Sequence, residues 1–201
     1  MKKIIILAVV LSLISCGNPY KKLMKELDQK EGMFAEMVTS KGTIIFSLAY
    51  DKAPITVANF VGLTEGTIEN SFRELGKPYF DGLTFHRVVP NFVIQGGDPL
   101  GNGMGNPGYK FKTETHPDLK HNKAGTVAMA NSGPNTNGSQ FYITHTETPH
   151  LDGGYNVFGY VLKGQEVVDS IEMGDVIERV VIIRLGSDAK NFDVAKAMSK
   201  L

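Results

Sequence analysis

Cysteine is almost absent from the 201-residue chain: Cys16 is the only one. A lone cysteine excludes a disulfide framework, a cysteine-bearing zinc cluster and a redox pair. Neither sign of charge is in excess. Lysine plus arginine and aspartate plus glutamate number 21 each. This balance argues against a nucleic-acid binder, whose phosphate contacts need a basic surface, although it leaves room for a local basic patch. Beyond Cys16 no apolar stretch is long enough to cross a bilayer, and internal repeats and low-complexity blocks are missing.

Several enzyme signatures are missing too. There is neither a G-x-S-x-G elbow nor H-E-x-x-H, so nothing local activates Ser139 as a nucleophile. His116, His121, His145 and His150 form two pairs five residues apart. That spacing does not place a pair on one helical face, so they read as scattered surface or loop residues and no metal is expected. Gly103-Met104-Gly105-Asn106-Pro107-Gly108 has the letters of a dinucleotide fingerprint. Pro107 interrupts it and no helix start follows, so it reads as a loop, and no cofactor is expected.

What is plentiful is turn chemistry. The 22 glycines and 9 prolines point to a β-rich fold. Hydrophobic residues at 42% and charged residues at 21% are ordinary for a globular protein. The N-terminus is different. Lys2 and Lys3 precede an apolar run from Ile4 to Leu13, too short for a permanent membrane span and arranged like an export signal. Leu13-Ile14-Ser15-Cys16 resembles the lipobox of bacterial lipoproteins, in which the cysteine is acylated and becomes the first mature residue. Residues 1–15 are therefore expected to be a signal peptide and 16–33 a lipidated N-terminus and linker. Leu23, Met24 and Leu27 have helical spacing, which a short amphipathic helix would use; the polar remainder reads as a solvated spacer.

A domain is expected over 34–190, followed by a tail at 191–201. FAEMVT and TIIFSLAY read as a hairpin turning at Ser40-Lys41-Gly42, with Ile44, Phe46 and Leu48 on one face. Pro54 opens a helix carrying Val57, Phe60, Val61 and Thr64, and Gly66 stops it. Strands are expected in LTFHRVV, FVIQ, TVAMA, QFYIT, VFGYVL and ERVVIIRLG, with a second helix around Val167, Val168 and Ile171. Many short strands with two helices suggest a barrel or a sandwich.

Two segments carry the chemistry: FHRVVPNFVIQGGD (85–98) and MANSGPNTNGSQFYIT (129–144). In the first, Arg87 lies within an apolar run, where it must find a partner or face a cleft. In the second, Asn, Ser, Gly and Pro crowd into a tight loop. These two segments, with LDGGYNVFGYV further on, resemble the signature segments of cyclophilins in order and spacing, over about Phe34 to Gly186. The resemblance implies a closed eight-stranded antiparallel β-barrel capped by two α-helices, and peptidyl-prolyl cis/trans isomerase activity on proline-containing polypeptides. It implies Arg87, Phe92 and Gln95 as catalytic residues. Val93, Ala130, Asn131, Gln140, Tyr142, His150, Leu151 and Tyr155 fall at its substrate-binding positions. Val93 stands where methionine is usual, Tyr142 where phenylalanine is, Tyr155 where histidine is common, and His150 where cyclosporin-sensitive members have tryptophan.

Such a reaction uses no nucleophile, metal or proton shuttle, so a flat pH–rate profile is expected. Together these readings describe a monomeric isomerase acting on exported proteins, anchored through Cys16 at the bacterial envelope and binding no nucleic acid. The alternatives are a non-catalytic peptide-binding or chaperone module, or a surface-interaction lipoprotein working through residues 64–79 or 99–121.

Overall fold

The computed structural model describes residues 20–200; the expected signal peptide and Cys16 lie outside the described residues. Strands β1 (Gly32–Thr39) and β2 (Gly42–Leu48) pair as the expected antiparallel hairpin, Thr39 facing Gly42 across the turn. Helix α2 (Pro54–Glu65; α1 is taken up below) starts on Pro54 and ends at Gly66, whose φ of 67° allows the left-handed cap. Its N-cap, Ala53, has no side chain able to accept a hydrogen bond. Glu114 supplies the acceptors from another part of the chain: its carboxylate takes Ile55 N–H at 3.1 Å and Thr56 N–H at 2.7 Å. Phe60 of α2 lies at the centre of the core among Phe46, Phe80, Phe141 and Phe158, with ring centroids 5.0–5.9 Å away.

The remaining strands are β3 (Arg87–Val89), β4 (Val93–Gly96), β5 (Thr126–Met129), β6 (Phe141–Thr144), β7 (Val157–Lys163) and β8 (Ile177–Leu185). Together the eight form one antiparallel sheet in the order β3-β4-β6-β5-β7-β2-β1-β8. This corrects the expected closed barrel, because the end strands β3 and β8 form no ladder with each other. The gap between them is crossed by irregular chain instead. Thr84 and Val176 make an isolated bridge, flanked by hydrogen bonds from Gly82 N–H to Ile177 O (2.7 Å) and from Phe85 N–H to Asp175 O (2.9 Å). The chain turns at Asp81-Gly82, and of the residues between that turn and β3 only Thr84 bridges to the β8 side, so the sheet is open.

The expectation of two helices is also corrected. Besides α2 and the anticipated α3 (Gln165–Ser170) there are α1 (Tyr20–Glu26), α4 (Ser187–Lys190) and α5 (Val194–Met198). The segment read as a solvated spacer takes its helical alternative: Met24 of α1 is buried with Phe34, Ile45 and Ile183 on the outer face of β1, β2 and β8. The tail from 191 folds back in part, with Ala197 of α5 buried.

Candidate active site

Cross-strand pairing assembles the site. Arg87 faces Gln95 in the β3/β4 ladder, and Gln95 faces Tyr142 in the β4/β6 ladder. Directly opposed residues share a face, so these three form a row on the outside of the sheet. Their neighbours Val88, Ile94 and Ile143 make the parallel row that points inward. Beside the outer row is a cavity of about 240 Å³ lined by Arg87, Phe92, Val93, Gln95, Ala130, Asn131, Tyr142, Leu151 and Tyr155. Nine residues chosen from the sequence thus meet around one space. Gln140 lines an adjoining cavity of about 340 Å³ that shares Gln95, Ala130 and Asn131. His150 lines neither; it is exposed and stacks on Phe92, centroids 5.9 Å apart and rings 16° from parallel.

Arg87 is exposed and held from one side. Its Nη1 donates to Gln95 Oε1 at 3.2 Å, Gln95 Nε2 donates to Gln140 Oε1 at 2.9 Å, and Gln140 Nε2 donates to Gly103 O at 3.0 Å and Gly105 O at 2.9 Å. The two carbonyls can only accept, which fixes the amide of Gln140, then that of Gln95, and leaves an oxygen facing the guanidinium. The far end of this chain is built by Asp98, buried and accepting N–H bonds from Leu100 (2.8 Å), Asn102 (3.0 Å) and Gly103. A side chain on Gly105 would run into that carboxylate. The glycine-rich stretch is therefore a loop, as expected. What it does, hold Gln140, has no mark in its own sequence.

Asn131 is fixed by Nδ2 bonds to Gly154 O at 3.0 Å and Asn137 Oδ1 at 3.3 Å. The hydroxyl of Ser139 is committed to Gly97 O (2.7 Å) and Tyr79 Oη (3.0 Å), a structural role that leaves no nucleophile there. One histidine reading needs correction. His121 is not a surface residue: it is wholly buried under the cavity, bonded to Asp152 and Tyr142. Sequence reasoning missed both His121 and Asp152, because they approach Tyr142 only through the fold. The one available signal was the hydroxyl that Tyr142 brings to a buried position, which needs a partner.

Comparison with known proteins gives one answer. Residues 34–187 match the family described as "Cyclophilin type peptidyl-prolyl cis-trans isomerase/CLD". The chain is 49% identical over 143 residues to peptidyl-prolyl cis-trans isomerase A of Mycobacterium tuberculosis, covering 68% of this chain and 79% of that one. It is 47% identical over 147 residues to peptidyl-prolyl cis-trans isomerase B of Streptomyces anulatus, covering 70% and 84%. Among solved structures it resembles a cyclophilin type peptidyl-prolyl cis-trans isomerase of Cryptosporidium parvum, crystallised in the presence of the dipeptide Ala-Pro. The TM-score is 0.65 and the identity 30%, over 75% of this chain and 98% of that one.

Proposed function

The chain belongs to the cyclophilin-type peptidyl-prolyl cis-trans isomerases and catalyses rotation about Xaa-Pro bonds; we propose that the rotation takes place over the cavity bounded by Arg87 and Tyr142. The barrier to be lowered is about 18–20 kcal/mol, which makes the uncatalysed step take on the order of tens to hundreds of seconds. No bond to carbon is made or broken. The enzyme has to bind the twisted amide better than either planar form.

The arrangement suits that task. The apolar walls from Phe92, Val93, Tyr142, Leu151 and Tyr155 receive the pyrrolidine ring, and Asn131 holds the backbone before it. Arg87 holds the prolyl carbonyl and donates toward the imide nitrogen, whose lone pair becomes an acceptor only as the bond twists. With Gln95 and Gln140 fixing the guanidinium beforehand, little reorganisation accompanies the step. The observation that carries this reading is the fixed polarity of the chain from Gly103 and Gly105 to Arg87.

Arg87→Ala in the full chain tests it. A charge-assisted donor specific to the twisted state gives roughly a 10²-fold loss in kcat/KM when removed, with an unchanged circular-dichroism spectrum. A wild-type rate in a proline-isomerisation assay would sink the assignment.

The same reading places the enzyme at a membrane surface, tethered by lipid on Cys16 and acting on exported polypeptides. The basic, apolar and small-residue sequence up to Cys16 supports this. Since α1 is packed on the domain from Tyr20, only residues 17–19 would separate lipid from fold, a reach of roughly 10 Å. Labelled palmitate should enter the wild-type protein and not Cys16→Ser; equal labelling of both would refute the anchor.

A further inference from the structure

Under the cavity, Asp152, His121 and Tyr142 form a hydrogen-bonded row that catalysis as described does not use. Asp152 Oδ1 accepts the backbone N–H of His121 and also its Nδ1, each at 2.8 Å. A carboxylate only accepts, so Nδ1 carries the imidazole proton. The lone pair of Nε2 is left to accept the Tyr142 hydroxyl at 2.8 Å. The two rings lie nearly parallel, 18° apart, with centroids at 6.0 Å. Each end of the row belongs to a different wall of the cavity. Tyr142 is on β6 and meets Tyr155 edge-on at 5.7 Å. Asp152 caps the short helical turn Pro149–Leu151 that presents Leu151.

We propose that His121 is a positioning residue for the proline cavity, holding the Tyr142 and Leu151 walls in register through hydrogen bonds that require a neutral imidazole. The proposal rests on the cavity being the proline site. A phenylalanine at position 142 would fill the same space but leave the walls unjoined. Protonation of His121 turns Nε2 into a donor facing the hydroxyl. Tyr142 Oη can then accept, but its own proton loses the one acceptor it has among the described residues, which leaves a buried donor unpaired. The groups facing the imidazole are Asp152 and His150 from the turn, Lys120 beside it in the chain and Tyr142 from β6. Burial outweighs the attraction of Asp152 and holds His121 below the ordinary imidazole value, while burial raises the Tyr142 phenol. Neutral imidazole beneath a neutral phenol is therefore the resting state near pH 7.

The experiment follows isomerisation of an Ala-Pro peptide by the full-length protein from pH 8 to pH 5, for wild type, Tyr142→Phe and Arg87→Ala. Ring-nitrogen NMR of His121 in the wild type runs alongside. In the wild type, kcat stays flat and KM rises about threefold or more on the acid side, following the imidazole titration. In Tyr142→Phe that rise in KM disappears, because no hydroxyl has to reorganise. The NMR shows the proton on Nδ1 at neutral pH. An unchanged acid rise in Tyr142→Phe, or a proton on Nε2 in the neutral wild type, would overturn the proposal. The NMR result stands even if the variant folds poorly. A wild-type rate in Arg87→Ala would overturn the assignment of the cavity and this inference with it, which separates that failure from a failure of the His121 row alone.

Discussion

Arg87 makes a single side-chain hydrogen bond among the described residues, to Gln95, and is otherwise exposed at the rim of the proposed proline cavity. The precision of that one bond depends on Gln140, whose amide is the link to the Gly103 and Gly105 carbonyls. Gln140→Leu removes both the acceptor for Gln95 and the donor to the loop. Gln95 is then free to flip, and an amide nitrogen toward Arg87 would repel it. The expected result is a fall in kcat of roughly tenfold with KM nearly constant, since the apolar walls are untouched. An equal fall for Gln140→Glu, which keeps an acceptor for Gln95, would count against the orientation argument. Arg87 could be singled out in the sequence because a charge within an apolar run demands explanation, and Gln95 through the family resemblance of the segment that holds both. His121 could not: Tyr142 and Asp152 are 21 and 31 residues away, and only folding shows that the three are one unit.

Elements were legible where one periodicity decided them. Each of the eight strands overlaps a segment marked by alternation or an apolar run, though several extend a residue or two beyond it, and α2 is bracketed by Pro54 and Gly66. The limits were less legible. LTFHRVV reads as one strand, yet only Arg87–Val89 pairs, because the preceding residues are drawn into the bridge with Val176. For α1 the difficulty was of another kind. Seven residues, with Lys22 and Lys25 exposed, make a marginal helix alone, and its stability comes from Met24 seated between Phe34, Ile45 and Ile183. Those three share the face of the sheet opposite the main core, so the strands β1, β2 and β8 are covered on both sides. Met24→Ala should therefore cost about 2–3 kcal/mol in urea unfolding and leave kcat/KM unchanged, as the proposed proline cavity is on the β3–β4–β6 side. A cost below about 0.5 kcal/mol would mean that α1 is a loosely attached appendage.

At the scale of the whole molecule the open seam between β3 and β8 is the feature that pattern could not decide, because closure depends on ladder bonds between ends of the sheet far apart in sequence. The seam is held on one side by the turn around Asp175. Its carboxylate accepts Ser40 Oγ–H at 2.9 Å and Glu172 N–H at 2.7 Å, with Lys41 Nζ at 3.7 Å. Burial pushes the Asp175 pKa up, but the bonds from Glu172 and Ser40 and the Lys41 charge together outweigh it and hold the value below that of a free aspartate. Asp152 is depressed in the same way against His121. The sign follows directly. A carboxylate depressed on folding contributes stability that is complete above the unfolded value, 3.8, and is lost as pH falls through the folded one. A histidine depressed on folding likewise contributes none of its penalty while neutral in both states; stability declines as pH drops below 6.5, where only the unfolded chain takes up the proton. Two steps are therefore expected in stability against pH, one beginning below about 6.5 from His121 and His86, both lowered by burial, and a second below about 4 from the aspartates. Asp175→Asn should lower stability at pH 7 by about 1–2 kcal/mol, shrink the second step and leave the first in place. Urea unfolding at a series of pH values measures both. If the second step kept its full size in the variant, the Asp175 turn would not be a source of the stability lost in acid.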